Sequence, residues 1–582
     1  MNKEDLQKMR HSAEHVLTMA VLKLFPKVKM AMGPATEDGF YFDFDLNGEV
    51  ISENDFAKIE EEMARIIKAD LGFKKEEVEI GEAQEMFAGN EYKEEWISEI
   101  ENRDEKATIY RTGKEFVDLC AGPHVTSTGK IRAIKLLSIA GAYWRGSEKN
   151  KMLTRIYGTA FESKKELDEF LARLVEAKKR DHKKIGKELD LFSFSPLVGP
   201  GLPLWSPRGT ILRNLLDDFV WELRRARGYE KVEIPHIAKK ELYETSGHWE
   251  KFKDDLFRLE SREGAETALK PMNCPHHAEI FGRKPMSYRE MPQRYCNTTM
   301  VYRDEQSGEL SGLSRVESIT QDDAHVFCRM SQVKDEFLKI WDIIDEFYGV
   351  FGFELTVNLS LHDPKTPEKY LGGKDDWEKA EGLLRELAKE RGVKVREDVG
   401  QAAFYGPKMD FIAKDSLGRE WQVATIQLDM NMPERFDLAC VNEKGERERV
   451  VMIHAAIMGS IERFLSVIIE HFAGNFPTWL SPVQVKVLAI TDKQALEAGR
   501  VYQKLKEEGI RVELDDRSET LGAKIRDAQM MKVPYMIILG QREVEAKKIA
   551  VRTREEKDLG QMELVEFIEK IKENNRDRKT KL

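Results

Sequence analysis

The segment YRDEQSGELSGLSRVESITQDDAH, Tyr302–His325, constrains this chain more than any other. Two arginines, Arg303 and Arg315, flank a Gly/Ser-rich loop, and a Gln/Asp/Asp/His cluster follows. Arginines on paired strands around a pliant loop suit a polyanionic ligand, because guanidinium grips phosphate oxygens through parallel hydrogen bonds. Read alone, the pattern also describes a surface hairpin laced with salt bridges. A second element, GSIERF at Gly459–Phe464, repeats the theme. Its small residues admit a ligand to the backbone, and Arg463 falls on a predicted helix, where by itself it would be helix surface.

A chain of 582 residues is too long for one core, so three or four domains are expected. With 41% hydrophobic and 34% charged residues, wholesale disorder is excluded. The net charge of -11 neither supports nor excludes a nucleic-acid partner, because local patches decide binding. The five cysteines form no CxxC pair, which argues against a disulfide framework and suits a reducing, cytoplasmic setting. No apolar run approaches the ~20 residues of a membrane helix. The charged start, MNKEDLQKMRHSAEH, offers no secretory core.

Ala13, Val16, Leu17, Ala20, Val21 and Leu24 recur at helical spacing, and GFYFDFDL (Gly39–Leu46) reads as a strand. A charged helix is predicted from Lys164 to Lys184 with a narrow stripe of Leu167, Phe170, Leu171 and Leu174. Its basic end, KKRDHKK, is either a solvated face or a phosphate contact. The turn-rich stretch Ser195–Gly209 leads to a long amphipathic helix marked by Ile211, Leu212, Leu215, Leu216, Phe219, Val220 and Leu223. Gly228 is placed to stop that helix, and a strand, KVEIP, is expected next. After Pro482, alternating valines, two predicted helices, RVELD, YMIILG and KIAVRT read as a small α/β domain.

The long helix with KVEIP, YRDE with Arg315, and GSIERF resemble, in order, the three signature motifs of class II aminoacyl-tRNA synthetases. The first of these builds the family's dimer interface. PMNCP (Pro271–Pro275), TQDDAH, AFYGPK (Ala403–Lys408), WQVATIQLD (Trp421–Asp429) and VMIH (Val451–His454) resemble the threonyl-tRNA synthetase family specifically, in its bacterial type. The resemblance covers essentially the whole chain. It implies an α/β multidomain (α+β) protein: an N-terminal α+β editing domain at 1–162, a linker helix at 163–190, a class II antiparallel-sheet catalytic domain at 191–480, and a C-terminal α/β anticodon-binding domain at 481–582. Bacterial relatives usually begin with a ubiquitin-like domain. HSAEH starting at residue 11 leaves no room for one, so its lack is expected here.

The resemblance also implies roles. Arg303 holds the ATP α-phosphate and the amino acid carboxylate, Arg463 lies along the nucleotide, Glu305 reads the adenine amino group, and Arg315 completes the second motif. Fixed cations with the Mg²⁺ of ATP suit this chemistry, in which a carboxylate attacks phosphorus and charge builds. Cys274, His325 and His454 are implied as ligands of one zinc per subunit. Their separations of 51 and 129 residues lie far outside local metal motifs. Three protein ligands leave tetrahedral zinc an open position, which threonine's amino and hydroxyl groups can fill and isosteric valine cannot. Gln321, Asp323 and Tyr405 match threonine contacts, with Gln427 a further one. His248 in SGHW matches a histidine tied to deprotonation of the tRNA ribose; a helix-cap or structural histidine is an equal reading. Two departures stand out. Ile319 replaces the aromatic that stacks on adenine, so weaker ATP binding is expected. His276 replaces a commoner glycine.

Serine keeps both groups that zinc would read and lacks one methyl, which discriminates by only ~10–200-fold. Editing is therefore expected. His11 and His15 lie one helical turn apart, and DLCAGPH supplies Asp118, Cys120 and His124. The resemblance assigns these to hydrolysis of mischarged tRNA. HxxxH with CxxxH is also a hydrolytic zinc pattern, so metal at this second site stays open. Ala121 and Phe42 replace arginine and tyrosine, weakening the expected contact with the tRNA 3′ end. Glu543 and Arg552 match anticodon-reading positions, or form a surface ion pair. The implied activity is ATP-dependent ligation of threonine to tRNA(Thr) through threonyl-adenylate, with hydrolysis of seryl-tRNA(Thr), in a cytoplasmic homodimer with no membrane association. The alternatives are a non-catalytic tRNA- or mRNA-binding paralogue and a class II synthetase for another amino acid, such as serine or proline.

Overall fold

A computed structural model describes residues 2–580. The chain divides into two compact units, one ending at Val175 and one beginning at Glu176.

In the first unit the helix Lys3–Leu24 starts at Asn2, whose side chain accepts the Asp5 N–H. It buries Met9, Ala13, Val16, Leu17, Ala20 and Val21. It packs on a four-stranded antiparallel sheet containing Phe40–Asp45, Met152–Phe161 and Ala133–Tyr143. Phe40, Phe42 and Phe44 share one face of their strand and are all buried, part of a common core with that helix. A three-stranded sheet brings Phe116–Leu119, and with it Asp118, against Ala107–Thr112.

The second unit is built on an eight-stranded sheet. Its centre runs antiparallel through Gln293–Tyr302, Ser318–Cys328, Val451–Ala456, Glu420–Asp429, Lys408–Lys414 and Leu355–Leu361, with a parallel strand at each edge. Successive side chains of a strand point to opposite faces. On Ser318–Cys328 the even positions face helices: Ala324 and Val326 join the core with residues of Pro207–Arg225, Val333–Phe351 and Ile461–Phe472. Asp322 forms a buried ion pair with Arg224 and accepts the N–H groups of Ile457 and Met458, both at 2.8 Å. The odd positions, Ile319, Gln321, Asp323 and His325, therefore share the opposite face. Cross-strand register sets His325 beside His454, and His454 beside Gln427.

A five-stranded sheet ends the unit, with three parallel strands followed by two antiparallel ones. Arg511 and Arg554 tie it to the preceding segment by donating to the carbonyls of Trp479 and Phe476 at 2.6 and 2.7 Å. Among the described residues no helix is long and apolar enough to cross a membrane.

Two expectations are corrected. The helix predicted over Lys164–Lys184 stops at Arg180. Asp181 leaves the helix and caps a new one, His182–Glu188, by accepting the Lys183 N–H at 2.7 Å, because an aspartate side chain competes with helical hydrogen bonding. KVEIP is mostly irregular: only its first residue, Lys231, lies in a strand, with the preceding Glu230, paired to Cys296 and Tyr295, and Pro235 lacks the N–H to extend the ladder.

Candidate functional site

The odd face of Ser318–Cys328 opens on a cavity of about 710 Å³. Arg303, Glu305, Arg315, Gln321, Asp323, Tyr405, Gln427, His454 and Arg463 all line it. The structure thus brings together, from five separated stretches of sequence, nearly every residue expected at the nucleotide and amino acid sites. Ile319 lines the same cavity.

Arg303 follows the strand Gln293–Tyr302, and its N–H bonds to the Glu317 carbonyl at 3.0 Å. Its half-buried guanidinium donates to Met272 Sδ at 3.2 Å and lies 5.4 Å over the Phe252 ring, while Nε is buried without a partner. Burial lowers its pKa. Arg463 sits in the first turn of Ile461–Phe472, its N–H accepted by Ser460 Oγ. It stays open to the cavity solvent, and the surrounding walls, with the charge of Arg315, lower its pKa too. Neither arginine makes an ion pair among the described residues. Holding the half-buried Arg303 without a counter-ion is costly unless an anion arrives. Arg315, by contrast, pairs with Glu305 at 2.6 Å and Glu309 at 2.8 Å. Both contacts to Glu305 fall on Oε2, and Oε1 takes no part in them.

Cys274, at the start of the helix Cys274–Gly282, joins His325 and His454, with one ligand atom from each lying within 4.8 Å of the others. All three are buried. His454 Nε2 meets Asp429 Oδ2 at 2.9 Å, which leaves Nδ1 buried and unpartnered. His325 Nδ1 meets His277 Nδ1 at 2.8 Å, leaving Nε2 without a hydrogen bond. One orphaned imidazole nitrogen per histidine, beside a thiol, is the donor set that tetrahedral zinc takes, and the outer nitrogens are held as ligating histidines require. Burial pushes the Cys274 thiol up, so ligation must displace its proton.

Asp323 accepts from Asn273 Nδ2 at 3.1 Å, and burial pushes its carboxyl up to about 6. Tyr405 is buried, which raises its phenol well above the ordinary value. Gln427 donates to the Gly406 carbonyl at 2.9 Å. His248 does not line the cavity. It is fully buried, bonded to Ser246 Oγ at 2.8 Å, with Nε2 3.9 Å from Cys274 Sγ, and burial lowers its pKa to about 3. His276 is buried edge-on to Tyr243 with both ring nitrogens unpartnered, and burial lowers it to about 4. Sequence reasoning missed Asp429, His277 and Asn273. Asp429 ends the quoted WQVATIQLD, and the other two flank Cys274, but no local pattern marks a residue that orients a distant ligand.

In the first unit His11, His15, Cys120 and His124 gather with ligand atoms within 4.8 Å of one another. Cys120 Sγ lies 3.3 Å from Nε2 of both His11 and His124. The Pro123 carbonyl, which can only accept, fixes the proton of His11 on Nδ1 at 3.1 Å. Ser12 Oγ donates to the Lys8 carbonyl and so accepts from His124 Nδ1 at 3.1 Å. Two Nε2 lone pairs therefore converge on the thiol. Burial lowers the pKa of all three histidines. A cavity of about 650 Å³ opens here, lined by His11, His15, Asp118, Cys120 and Ala121. Phe42 is fully buried and takes no part in the lining, so its replacement of tyrosine is a core change. Sequence reasoning missed Lys93, buried and paired with Asp118 at 2.5 Å; it lies in a charged helix, EYKEEW, with nothing local to distinguish it.

Glu543 caps its own helix by accepting the Gly540 N–H at 3.0 Å, and it takes a hydrogen bond from Gln561 at 2.7 Å. Arg552 approaches Glu556 at 4.0 Å, and its Nε is buried unpartnered.

Residues 257–472 match the tRNA synthetase class II core domain (G, H, P, S and T), 484–574 match an anticodon binding domain, and 107–157 match the threonyl and alanyl tRNA synthetase second additional domain. A threonine–tRNA ligase of Clostridium tetani is 49% identical over 572 residues, covering 98% of this chain and 88% of that one. One of Thermotoga neapolitana is 48% identical over 575 residues, covering 98% and 89%. The solved RNA binding domain of threonyl-tRNA synthetase from Cryptosporidium parvum superposes with a TM-score of 0.65 at 37% identity, covering 68% of this chain and 98% of that one. A class II core, its sheet, its cavity and full-length relatives at nearly half identity lead to one conclusion: the chain belongs to the threonine–tRNA ligase family.

Proposed function

We propose that this chain joins threonine to ATP as threonyl-adenylate, transfers the threonyl group to tRNA(Thr), and hydrolyses seryl-tRNA(Thr) in its first unit. One observation carries the reading: two guanidiniums without ion-pair partners among the described residues share a cavity with a histidine of a buried Cys/His/His trio. The threonine carboxylate attacks the α-phosphorus and pyrophosphate leaves. Arg303 neutralises the two anions that must meet, and Arg463 extends the positive wall along the leaving phosphates. Glu305 keeps its bond to Arg315 through Oε2 and accepts from the adenine amino group through Oε1.

Cys274, His325 and His454 would hold zinc, which supplies a Lewis-acid seat for a neighbouring amine and hydroxyl. Asp323 accepts from the threonine hydroxyl, with Gln321, Tyr405 and Gln427 completing the pocket wall. In the first unit, the converging Nε2 atoms of His11 and His124 position water; one of them takes its proton as it attacks the ester carbonyl and returns that proton to the departing tRNA ribose oxygen. Asp118 is held for that site by Lys93. His248 is assigned to the ribose proton transfer, and its burial 3.9 Å from Cys274 Sγ gives it a supporting place beside the trio as well. Glu543 and Arg552 would meet anticodon bases. A homodimer through Pro207–Arg225 is part of the proposal, and sedimentation over a concentration series checks it.

Pyrophosphate exchange run with threonine, serine and valine in turn tests the whole reading. Threonine should support it, serine should support it more weakly by about 10–200-fold, and valine should fall at background. Valine turning over as fast as threonine removes the case for this substrate. Arg463→Ala should raise the ATP KM in the same assay.

A further inference from the structure

We infer that His182 is a positioning residue for the nucleotide loop, an inference that rests on the reading of the 710 Å³ cavity as the ATP site. His182 opens the short helix created by the break at Asp181 and is buried. Its ring is held at both nitrogens. Nδ1 lies 2.7 Å from Glu470 Oε1, and Nε2 accepts the Leu313 N–H at 3.0 Å. A backbone N–H has only a proton to offer, and a ring with Nε2 as acceptor carries its proton on Nδ1, facing the carboxylate. A single tautomer satisfies both neighbours.

The two neighbours belong to the two walls of the cavity. Glu470 lies on Ile461–Phe472, the helix whose first turn carries Arg463. It also accepts the His182 backbone N–H at 3.1 Å and an Arg419 contact at 2.7 Å. Burial alone would raise the Glu470 carboxyl, but the bonds from His182 bring it below its ordinary value.

Leu313 is fully buried at the tip of a turn closed by the Ser311 N–H on the Arg315 carbonyl, and Ser314, Arg315 and Val316 pass directly into the cavity wall. The turn rests on the ring itself. Gly312 has φ +53°, and a Cβ there would fall 2.4 Å from His182 Nε2 and 2.8 Å from Lys183 Cγ. The loop's exposed half is held by surface ion pairs of Arg315, which are weak constraints. One imidazole thus fixes the distance between the loop that presents Arg315 with Glu305 and the helix that presents Arg463.

The test uses two variants that each keep half of the ring's hydrogen bonding. His182→Asn places an amide N–H where Nδ1 stood, keeping Glu470 and losing Leu313. His182→Gln places a carbonyl oxygen where Nε2 stood, keeping the loop. In pyrophosphate exchange by the full chain, the Asn variant should raise the ATP KM about fivefold, the change expected from one lost hydrogen bond, with the threonine KM within about twofold of the parent. The Gln variant should return the ATP KM toward the parent. An Asn variant with an unchanged ATP KM overturns the inference. So does equal impairment of both variants in ATP KM, threonine KM and Tm, which marks a merely structural histidine. Arg463→Ala is run alongside. If it moves the ATP KM while His182→Asn does not, only this inference fails; if it does not, the ATP reading of the cavity fails and this inference with it.

Discussion

Cys274→Ala should abolish threonine-dependent pyrophosphate exchange and strip the chain of bound zinc together. The trio offers three ligand atoms within 4.8 Å, and one nitrogen of each imidazole, His325 Nε2 and His454 Nδ1, is without a hydrogen-bond partner among the described residues. Removing one of three ligands exceeds the loss of an orienting neighbour, which typically costs about 10–100-fold in metal affinity or activity. Exchange should therefore fall by more than about 100-fold. Metal analysis of the purified variant separates this outcome from misfolding, as does its Tm, since replacing a small buried side chain by alanine removes little packing. Full exchange without metal would remove zinc from the account of threonine recognition. Retained metal with lost exchange would place the ion elsewhere, the His11/His15/Cys120/His124 cluster being one other candidate.

The double change His11→Ala with His15→Ala should leave threonine charging intact while seryl-tRNA(Thr) accumulates. Both residues lie in the first unit, whereas the nucleotide cavity is lined entirely by residues of the second. General acid–base groups typically contribute about 10²–10⁴-fold, so deacylation of preformed seryl-tRNA(Thr) should slow by that order. The comparison that decides is the ratio of the deacylation rate to the charging rate. A double variant that clears seryl-tRNA at the parental rate defeats the assignment of this cluster. Repeating the parental assay after chelation asks separately whether a metal works there. Loss of deacylation on chelation with charging retained would place it at Cys120, where the two Nε2 lone pairs converge.

The arginines and the trio were legible for different reasons. Arg303 and Arg463 stand inside short contiguous motifs, YRDE and GSIERF, whose loop-and-helix character can be read from Gly, Ser and apolar spacing alone. What could not be read is that both lack ion-pair partners among the described residues while Arg315 has two, because pairing depends on where Glu305 and Glu309 end up. The linker was misread at one residue. The charged run Lys178–Lys184 has no apolar residue to mark a break, yet Asp181 caps rather than continues, and that break sets His182 between Glu470 and Leu313. KVEIP has strand composition but only its Lys231 falls in the paired strand, since strand propensity counts for little at a sheet edge that a proline cuts short. Asp429, Asn273, His277 and Lys93 escaped notice because each acts on a partner far along the chain.

By itself the sequence determined the alternation on Ser318–Cys328, and so which of Ile319, Gln321, Asp323 and His325 could ever share a face: a strand's two-residue period is a local property of the backbone. It also determined that His11 and His15 stand one turn apart, by the same kind of local geometry. Only the tertiary structure decided that His325 lies opposite His454 and next to Cys274, 129 and 51 residues away. Strand order and register are settled by burying the even face against three helices, a long-range balance of apolar area that no spacing along the chain records.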